Sequence, residues 1–386
     1  MGLSSARKIK SLLWVVAGGY ASLAGISYYR GEESFYKKII MPLVHLLDAE
    51  QAHNIAVYIS KYRLVPKSKY KDPPSLKVDI FGREFTNPIG IAAGFDKDAK
   101  AVLGLKDIGF GFVEIGSVTP IPQSGNAKPR VFRLVQDAAV INRYGFNSEG
   151  HDQVLKRIKS IRNSGEDVIL GVNLGKNKNS VNDVDDYVKG ILKFGPVADY
   201  LVINISSPNT PGLRSMQKKE ILTKLLTATL EARNGLQIEK KPPLLLKLAP
   251  DLSTNEKKDI ADVLKQKSCR VDGLIICNTT IERPSTLLEE SKHEIGGLSG
   301  KPLREKSTEM IKEMKTLTNL PIVGVGGISS GEDAYEKIKA GAVLVQIYTA
   351  MIYEGPTIVT RIKKDLAELL MKDDLQNVSE AVGKSL

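Results

Sequence analysis

The stretch Tyr200–Ala249 decides the fold, because it contains one complete strand–helix–strand unit. It begins with YLVINIS at Tyr200–Ser206, continues with a helical pattern at Lys219–Asn234, and ends with LLLKLA at Leu244–Ala249. Neither apolar run alternates strictly with polar residues, so each strand is expected to be buried on both faces. Strands of this kind that alternate with helices form parallel sheets.

The same unit recurs on both sides of this stretch. Further short apolar, β-branched runs occur at Ile89–Ala93, Phe112–Ile115, Val168–Leu174, Gly273–Asn278, Pro321–Gly327 and Leu344–Ala350. Segments of helical length separate them, for example Ser253–Lys267, Leu303–Leu317 and Gly331–Ala340. The sequence therefore predicts an α/β protein in which eight strands close into a (β/α)₈ TIM barrel. The alternative is a doubly wound open sheet, but that fold calls for a GxGxxG motif after an early strand, which the sequence lacks.

Two hairpins are predicted in addition to the barrel. Lys77–Pro88 alternates around Phe81 and Gly82 and leads into the first barrel strand. Val131–Leu134 pairs with Ala139–Asn142 and interrupts the second strand–helix unit.

Composition excludes several classes of protein. The chain has 386 residues with 42% hydrophobic and 26% charged content, which indicates an ordinary buried core. Its two cysteines, Cys269 and Cys277, give no disulfide framework, and its four histidines form no ligand motif, so no metal site is expected. Of the net charge of +11, residues 1–71 carry +7, from eleven Lys/Arg and four acidic residues. This distribution favours an anionic lipid surface over nucleic acid.

The N-terminus has the pattern of a membrane anchor. Residues 1–10 include Arg7, Lys8 and Lys10 and no acid, and Ser11 to Tyr29 is then a run of 19 uncharged residues. As a helix this run would span about 28 Å, close to the hydrocarbon thickness of a bilayer. We expect a presequence and a single transmembrane anchor. A cleaved secretory signal is the competing interpretation, although no clear small-x-small cleavage site is present.

Residues 34–62 show helical periodicity directly after the anchor. Phe35, Ile39, Leu43 and Leu46 recur at spacings of three and four, and a second helix follows Asp48, which can serve as its cap. Periodicity alone leaves two possibilities open. The helices could pack on the barrel as ordinary core, or they could form a lipid-facing pair.

The active site of such a barrel lies at the C-terminal ends of its strands. Carboxamides and hydroxyls outnumber carboxylates there, and the few charges are lysines such as Lys97 and Lys247. Asparagine both donates and accepts hydrogen bonds, so these ends suit a flat, neutral ligand together with an anion. The ends of strands seven and eight, GVGG at Gly324–Gly327 and Tyr348-Thr349, lie where barrels commonly bind phosphate, although tight turns alone would also explain the glycines.

Nine short motifs cover these strand ends. They are AAGFDK (Ala92–Lys97), EIGSVTP (Glu114–Pro120), NRYGFNS (Asn142–Ser148), GVNLGKNK (Gly171–Lys178), NISSPNTPGLR (Asn204–Arg214), LKLAPDL (Leu246–Leu252), GGLSGKPL (Gly296–Leu303), GVGG (Gly324–Gly327) and QIYTA (Gln346–Ala350). In residue identity and in order these motifs resemble those of the dihydroorotate dehydrogenases, and the resemblance extends from about residue 35 to about residue 370. The serine in NISSPNT and the helical extension resemble the class 2, quinone-reducing branch, whereas cytosolic members use cysteine as the base.

The resemblance implies a flavin mononucleotide (FMN) cofactor and oxidation of dihydroorotate to orotate in de novo pyrimidine (UMP) biosynthesis. Ser207 would take a proton from C5 of dihydroorotate while hydride leaves C6 for flavin N5. Ser206 is the close competitor, and periodicity does not separate the two. Thr210 and Phe146 match the catalytic positions that flank the proton route.

The resemblance also implies two sets of binding residues. Those for dihydroorotate and orotate are Lys97, Asn142, Arg143, Tyr144, Gly145, Phe146, Asn204, Asn209, Asn278 and Thr279. Those for FMN are Ala92, Ala93, Gly94, Phe95, Asp96, Ser117, Asn173, Asn204, Lys247, Cys277, Gly300, Gly326, Gly327, Tyr348 and Thr349. Lys247 would lie near the N1/O2 edge of the flavin and stabilise negative charge there. The alternative is a snorkelling surface lysine, but an ammonium within LLLKLA is costly to bury without a partner.

The same resemblance makes the two helices of residues 34–62 an entrance for ubiquinone, with His53, Arg133 and Tyr348 along the tunnel. We therefore expect three regions: a presequence and anchor at 1–30, a helical membrane and quinone-entry extension at 31–70, and the barrel at 71–386. A monomer is expected, held by one span in the mitochondrial inner membrane with its catalytic domain in the intermembrane space.

Two alternative functions remain open on the sequence. The first is a different barrel enzyme, either a phosphosugar isomerase or a flavin enzyme that acts on another substrate. An isomerase needs a glutamate or histidine base at a strand end, and Glu114, the one acid inside a predicted strand, precedes the glycine turn. The second is a non-catalytic, membrane-tethered barrel, which the intact Ser207, Lys97 and Lys247 argue against.

Overall fold

The computed structural model describes residues 5–386, and at its centre eight parallel strands close into a barrel. In chain order the barrel strands are β1 (Ile89–Ile91), β2 (Phe112–Val118), β3 (Leu170–Leu174), β4 (Tyr200–Asn204), β5 (Leu244–Leu248), β6 (Gly273–Ile276), β7 (Ile322–Val325) and β8 (Ala342–Ile347). Each strand pairs with the next in sequence, and β8 pairs with β1 to close the ring. The predicted (β/α)₈ TIM barrel is confirmed.

Burial on both faces explains why apolar and polar residues do not alternate along these strands. Every residue of β2, β3, β4 and β5 is buried, because the inward side chains fill the barrel and the outward side chains pack under helices. The parallel register pairs Asn204 with Lys247 at the C-terminal ends of β4 and β5. Register therefore brings the polar strand ends together at one mouth of the barrel.

One or more helices follow each strand and cover the barrel. They are Val102–Ile108, Gly150–Asn163, Asp183–Phe194, Lys219–Asn234, Thr254–Lys265, Arg304–Thr318, Gly331–Lys339, Thr349–Glu354 and Ile358–Lys372. Local signals set several of their starts. Ser253 and Glu256 form a capping box before Thr254–Lys265, and Ser330 accepts the Asp333 N–H before Gly331–Lys339.

Both predicted hairpins are present. Val78–Ile80 pairs with Arg83–Phe85, and Val131–Leu134 pairs with Ala139–Asn142. A third strand, Gly297–Gly300, extends the second hairpin by pairing with Ala139–Asn142. The sequence did not predict this strand, because three of the five residues in GGLSG (residues 296–300) are glycines, which disfavour strands.

In the part that the structure describes, the N-terminal region consists of helices joined by short non-helical turns. The first helix, Ser5–Arg30, is called the anchor helix below after its predicted role. It is followed by a continuous helical segment formed by Glu33–Phe35, the π-helical Tyr36–Ile40 and Met41–His45. The last helix of this region, Ala49–Lys61, begins after Asp48, whose carboxylate accepts the N–H groups of Glu50 and Gln51 as predicted. The segments Glu33–His45 and Ala49–Lys61 are called the helix pair below.

Within the described residues, one helix is long and apolar enough to cross a membrane by length and composition: Arg7–Arg30, with 24 residues. At 1.5 Å per residue it is about 36 Å long. Its apolar side chains are exposed, for example Leu12 at 63% and Trp14 at 71%. Residues 1–4 of the predicted presequence lie outside the described residues.

One face of the helix pair packs on the barrel, and the opposite face is exposed. On the packed face, Ser60 lies so close to Gly104 that a Cβ on Gly104 would be 2.0 Å from the Ser60 carbonyl oxygen. The opposite face exposes large apolar side chains, including Leu43 at 57% and Tyr58 at 60%. An exposed apolar face of this kind is typical of a surface that meets lipid or a partner.

Candidate active site

A single cavity of about 550 Å³ runs from the barrel mouth to the helix pair. Lys247 on β5 and Asn278 after β6 line its inner end, and Val44 and Ala52 of the helix pair line its outer end. All the residues that sequence analysis assigned to the site line this cavity, except Asp96, Arg143, Asn173 and Thr210. Residues that are up to about 300 positions apart are thus gathered around one space, because parallel strands present their C-terminal ends at the same edge.

A ladder of amides fixes the polar wall of the cavity. The Asn204 Nδ2 donates to Ser117 Oγ at 2.8 Å and to Asn173 Oδ1 at 3.1 Å. Asn278 Nδ2 donates to Ser206 Oγ at 2.9 Å, and Ser206 Oγ in turn donates to Asn204 Oδ1 at 2.8 Å. Because each amide is held by a neighbour, Asn204 and Asn278 present a fixed pattern of donors and acceptors to a bound ligand.

Lys247 faces the cavity with a carboxylate behind it. Its side chain is 6% exposed, and its Nζ lies 3.9 Å from Oε1 of the fully buried Glu114. The other oxygen of Glu114 accepts from Gln346 Nε2 at 2.7 Å and from Tyr200 OH at 3.3 Å. Glu114 therefore offsets the free-energy cost of burying the Lys247 ammonium. The N–H groups of Lys247 that do not face Glu114 remain available to a ligand.

Glu114 is a site residue that sequence analysis missed. The sequence does mark Glu114 as unusual, since it is the one acid inside an apolar strand. Its contact with Lys247 on β5 could not be predicted, because that contact forms only when the strands close into a barrel. The buried carboxylate and the burial of Tyr200 together raise the pKa of Tyr200 well above its ordinary value, with burial as the larger cause. Tyr200 is thus a neutral donor to Glu114.

Ser206 and Ser207 have different environments. The Ser206 side chain is fully buried and both of its hydroxyl contacts are asparagine side chains. Ser207 lines the cavity, and its Oγ accepts the Asn209 N–H at 3.3 Å. Of the two serines, only Ser207 offers its hydroxyl to a ligand in this cavity.

The glycine turn after β7 is shaped for close approach by a ligand. Gly326 and Gly327 have φ of +116° and +74°, which side chains rarely adopt, and a Cβ on Gly327 would lie 2.5 Å from the Arg304 Cα. Thr349, at the start of the helix after β8, lines the cavity beside this turn. Exposed backbone N–H groups at such a turn are a site for a phosphate group.

A buried lysine lies behind this turn. Lys337 is fully buried, and its Nζ contacts only neutral oxygens, among them Ser307 Oγ at 2.5 Å and Thr308 Oγ1 at 2.8 Å. Ser307 Oγ is also within 3.0 Å of the Gly326 carbonyl oxygen. Burial lowers the pKa of Lys337 to about 8. Sequence analysis missed this residue, because its helical position reads as an ordinary surface lysine.

The loop after β1 brings Lys97 over the cavity. Lys97 Nζ donates to the Gly94 carbonyl oxygen at 2.9 Å and lies 4.0 Å from the centre of the Tyr144 ring. Burial is the main cause that lowers the pKa of Lys97 to about 8. Across the cavity, Asn209 Nδ2 donates to the main-chain oxygen of Asn142 at 3.0 Å. This end therefore combines an ammonium with amides, as an anionic, planar substrate requires.

The outer end of the cavity is largely apolar, with a few polar groups. His53 Nδ1 lies 3.3 Å from Tyr348 OH, and its Nε2 lies 3.5 Å from Lys97 Nζ. Burial, and then the charge of Lys97, lowers the pKa of His53 well below its ordinary value, so the ring is neutral at physiological pH. Arg133 donates to the His45 and Leu47 carbonyl oxygens, which ties the second hairpin to the helix pair.

Four predicted site residues lie off the cavity. Asp96 accepts the N–H groups of Lys100 and Ala101, so its carboxylate shapes the loop that carries Lys97. Asn173 lies beneath the cavity wall and donates to Glu114 at 2.9 Å. Arg143 pairs with Glu294 at 2.5 Å and lies over the Phe132 ring, and Thr210 is buried near the Ser207 loop. Asp96 and Asn173 therefore support the site from behind.

This fold and this site define a class of protein: a (β/α)₈ barrel enzyme with a glycine turn after β7, an amide-lined pocket and an apolar outer end of the same cavity. A family model described as dihydroorotate dehydrogenase matches residues 75–370. The dihydroorotate dehydrogenase (quinone), mitochondrial, of Mus musculus is 50% identical over 377 residues, covering 96% of this chain and 95% of the mouse protein. The dihydroorotate dehydrogenase (quinone) of Rhodospirillum rubrum is 48% identical, over 90% of this chain and 94% of its own length.

A solved structure agrees with these relatives. The crystal structure of the Eimeria tenella DHODH in complex with ferulenol superposes with a TM-score of 0.85 and 44% identity, covering 89% of this chain and 98% of the other. The chain belongs to the dihydroorotate dehydrogenase family.

Proposed function

We propose that this chain oxidises (S)-dihydroorotate to orotate in pyrimidine biosynthesis, with FMN as its cofactor and ubiquinone as the electron acceptor. The observation that carries this proposal is the single cavity, which has an amide- and lysine-lined end at the barrel mouth and an apolar end at the helix pair. A polar end and an apolar end of the same cavity suit a reaction that joins a small anion to a lipid-soluble acceptor.

The residues of the inner end fit FMN. The turn at Gly326 and Gly327 leaves no room for a Cβ, so backbone N–H groups can approach a phosphate, and Thr349 adds a hydroxyl. Lys247 would place its ammonium near the ring system, and Asn204 would offer it hydrogen bonds. When bound, FMN supplies a hydride acceptor for the substrate and a two-electron donor for the quinone.

Substrate binding is assigned to the opposite wall. Lys97 would hold the substrate carboxylate, and Asn142, Asn209 and Asn278, with the neighbouring Thr279, would hold the ring through its amide edges. Hydrogen bonds among these residues fix the side chains before the substrate binds. Substrate binding therefore costs little additional conformational entropy.

Ser207 is assigned the removal of the C5 proton. Its hydroxyl lines the cavity, while the neighbouring Ser206 is occupied in the amide ladder. A neutral serine is a weak base, so the proton has to pass onward, and Thr210 and Phe146 lie next to this loop as candidates for shaping that route. As the C5–H electrons form the C5–C6 double bond, the hydride leaves C6.

The helix pair is proposed as the quinone entrance at a membrane surface. Its exposed apolar face, the anchor helix before it and the tunnel residues His53, Arg133 and Tyr348 support this assignment. We propose that the chain is a monomer in the mitochondrial inner membrane, with the barrel in the intermembrane space.

The role of Ser207 is tested by comparing Ser207→Ala with Ser206→Ala. We expect Ser207→Ala to retain bound flavin and its absorbance spectrum, and to slow anaerobic reduction by dihydroorotate about 10²–10⁴-fold near neutral pH, because a positioned base is lost. Stopped-flow absorbance of the flavin measures that step directly.

Ser206→Ala is the matched control. It removes the same hydroxyl from the adjacent residue and loosens the amide ladder, so we expect a smaller loss that appears chiefly as weaker orotate binding. A larger loss of reduction rate in Ser206→Ala than in Ser207→Ala would reassign the base.

A further inference from the structure

A second cavity, of about 520 Å³, lies where the end of the anchor helix meets the last barrel helix. Its charged lining residues are Arg30, Lys67, Lys69, Arg361 and Lys364, with Glu33 as the one acid among the lining residues. Five cations and one acid give this basic cavity a net charge of +4. We infer that the basic cavity binds the phosphate of an anionic phospholipid headgroup.

Much of this positive charge is uncompensated. Three of the cations have no carboxylate within ion-pair distance among residues 5–386, namely Arg30, Lys69 and Lys364. All three are exposed. Lys69 and Lys364 instead have their ammonium groups 5.8 Å from the rings of Tyr29 and Tyr70. These aromatic contacts hold the side chains beside the cavity without neutralising them.

The remaining two cations each lie near a carboxylate. Arg361 pairs with Glu33 and with Glu354, the latter at 3.2 Å, and Lys67 lies 3.9 Å from Asp107. Arg361 is therefore held in place by two carboxylates, whereas the Lys67 side chain is 57% exposed. The three unpaired cations are the ones that remain available for an anion.

The floor of the basic cavity offers uncharged donors as well. Thr357 precedes the 15-residue helix Ile358–Lys372, whose first turn contains no acidic residue. The Thr357 Oγ1 is buried, makes no cap hydrogen bond, and has no partner within the described part of the chain. Ser68 and Thr360 add two hydroxyls, 3.1 Å apart. Hydroxyls, a helix N-terminus and flanking cations together match the oxygen atoms of a phosphate.

The position of the cavity favours a lipid as the source of that phosphate. Arg30 is the last residue of the helix that is long enough to span a bilayer, so its charge lies at the depth of the headgroups. The Tyr28 hydroxyl donates to the Leu64 carbonyl oxygen at 2.6 Å, which fixes the anchor against the chain segment that carries Lys67 and Lys69. A cationic cavity at this level meets phospholipid phosphate at far higher local concentration than free phosphate.

This inference is independent of the dihydroorotate chemistry. The basic cavity contains none of the residues assigned to the substrate, FMN or proton transfer, and it shares only wall residues such as Pro66 and Pro356 with the large cavity. Flavin content and the rate of flavin reduction by dihydroorotate therefore serve as tests of folding for any variant of it.

The test uses the full chain in micelles of an uncharged detergent. Short-chain phosphatidic acid is titrated in, and the midpoint of thermal unfolding is followed, because a ligand that binds only the folded state raises it saturably. We expect a saturable rise for the wild type, and an apparent affinity that is weaker by about tenfold or more for Lys69→Gln/Lys364→Gln. Phosphatidylcholine of the same chain length should give no saturable rise.

The matched control is Lys38→Gln/Lys61→Gln. Both lysines are exposed near the membrane side and line neither cavity, so this variant removes the same charge from elsewhere. It should respond to phosphatidic acid as the wild type does. If both variants lost the same affinity for phosphatidic acid, the lipid would be attracted by overall positive charge and not by the basic cavity. That result would overturn the proposed site.

Inorganic phosphate forms the last arm of the test. We expect it to stabilise the protein only at concentrations far above those of the lipid. Saturation by inorganic phosphate at the same concentration as the lipid would overturn the headgroup as the occupant.

Discussion

At the scale of single residues, the site depends on charges that are buried and only partly paired. Lys247, Lys97 and Lys337 each place an ammonium where water is largely excluded, and only Lys247 has a carboxylate, Glu114, within 4 Å. Burial of an unpaired lysine lowers its pKa, because the protein interior disfavours the charged form. The affinity of this site for anions is therefore expected to depend on pH.

Lys97 carries the clearest pH prediction. Its pKa of about 8 means that the free protein loses this positive charge as the pH rises through about 8, while the orotate carboxylate stays ionised. We expect the dissociation constant of orotate to be flat below pH 7 and to rise by about tenfold per pH unit above pH 8. Titration of flavin absorbance with orotate between pH 6.5 and 9.5 measures it.

Lys97→Met provides the comparison for that titration. The variant should bind orotate weakly at every pH, with no inflection near pH 8. A wild-type dissociation constant that does not change between pH 7 and 9.5 would show that Lys97 does not hold the carboxylate.

At the scale of elements, a buried ion pair fastens the helix pair to the loop that carries the substrate residues. Glu50, in Ala49–Lys61, accepts from Arg130 at 2.8 and 3.1 Å, and Arg130 lies over the ring of Tyr144. Burial alone would raise the pKa of Glu50, but hydrogen bonds and charge from Arg130, assisted by Lys128, bring it below its ordinary value. Glu50 thus contributes stability above the pKa of its unfolded form, and this contribution is lost as the pH falls through its folded pKa.

We predict that Glu50→Gln lowers the free energy of unfolding by about 3 kcal/mol at pH 7, because a buried guanidinium loses its carboxylate. Glu84→Gln is the control, since Glu84 pairs with Lys77 on the surface and should cost less than about 1 kcal/mol. Urea denaturation at pH 7 in uncharged detergent measures both. Equal losses in the two variants would contradict a structural role for the Glu50–Arg130 pair.

The elements also show how far sequence reasoning reaches. All eight barrel strands and both hairpins follow from runs of apolar, β-branched residues and from turn residues, since these signals are local. The strand Gly297–Gly300 does not, because its residues form a strand only where Ala139–Asn142 offers them an edge. Likewise, Ser206 and Ser207 are adjacent in the loop after β4, and the hydrogen bonds of the amide ladder show that the Ser206 hydroxyl is the occupied one.

At the scale of the whole molecule, the anchor helix and the barrel are expected to have separable roles. Deleting residues 1–30 removes the exposed apolar helix but none of the residues that line the inner end of the large cavity. We predict that the truncated chain retains flavin and is reduced by dihydroorotate at the wild-type rate, yet no longer fractionates with membranes after a high-salt wash. Retention on membranes would make the helix pair the main anchor.

The central claim is that one cavity joins the dihydroorotate reaction to the quinone reaction. The full chain, purified in uncharged detergent and kept free of oxygen, tests it in one cuvette. We predict that dihydroorotate bleaches the yellow flavin, that a soluble ubiquinone then restores the colour, and that one orotate forms for each quinone reduced. A preparation that does not bleach, or one that bleaches and is not recoloured by quinone, would contradict the account.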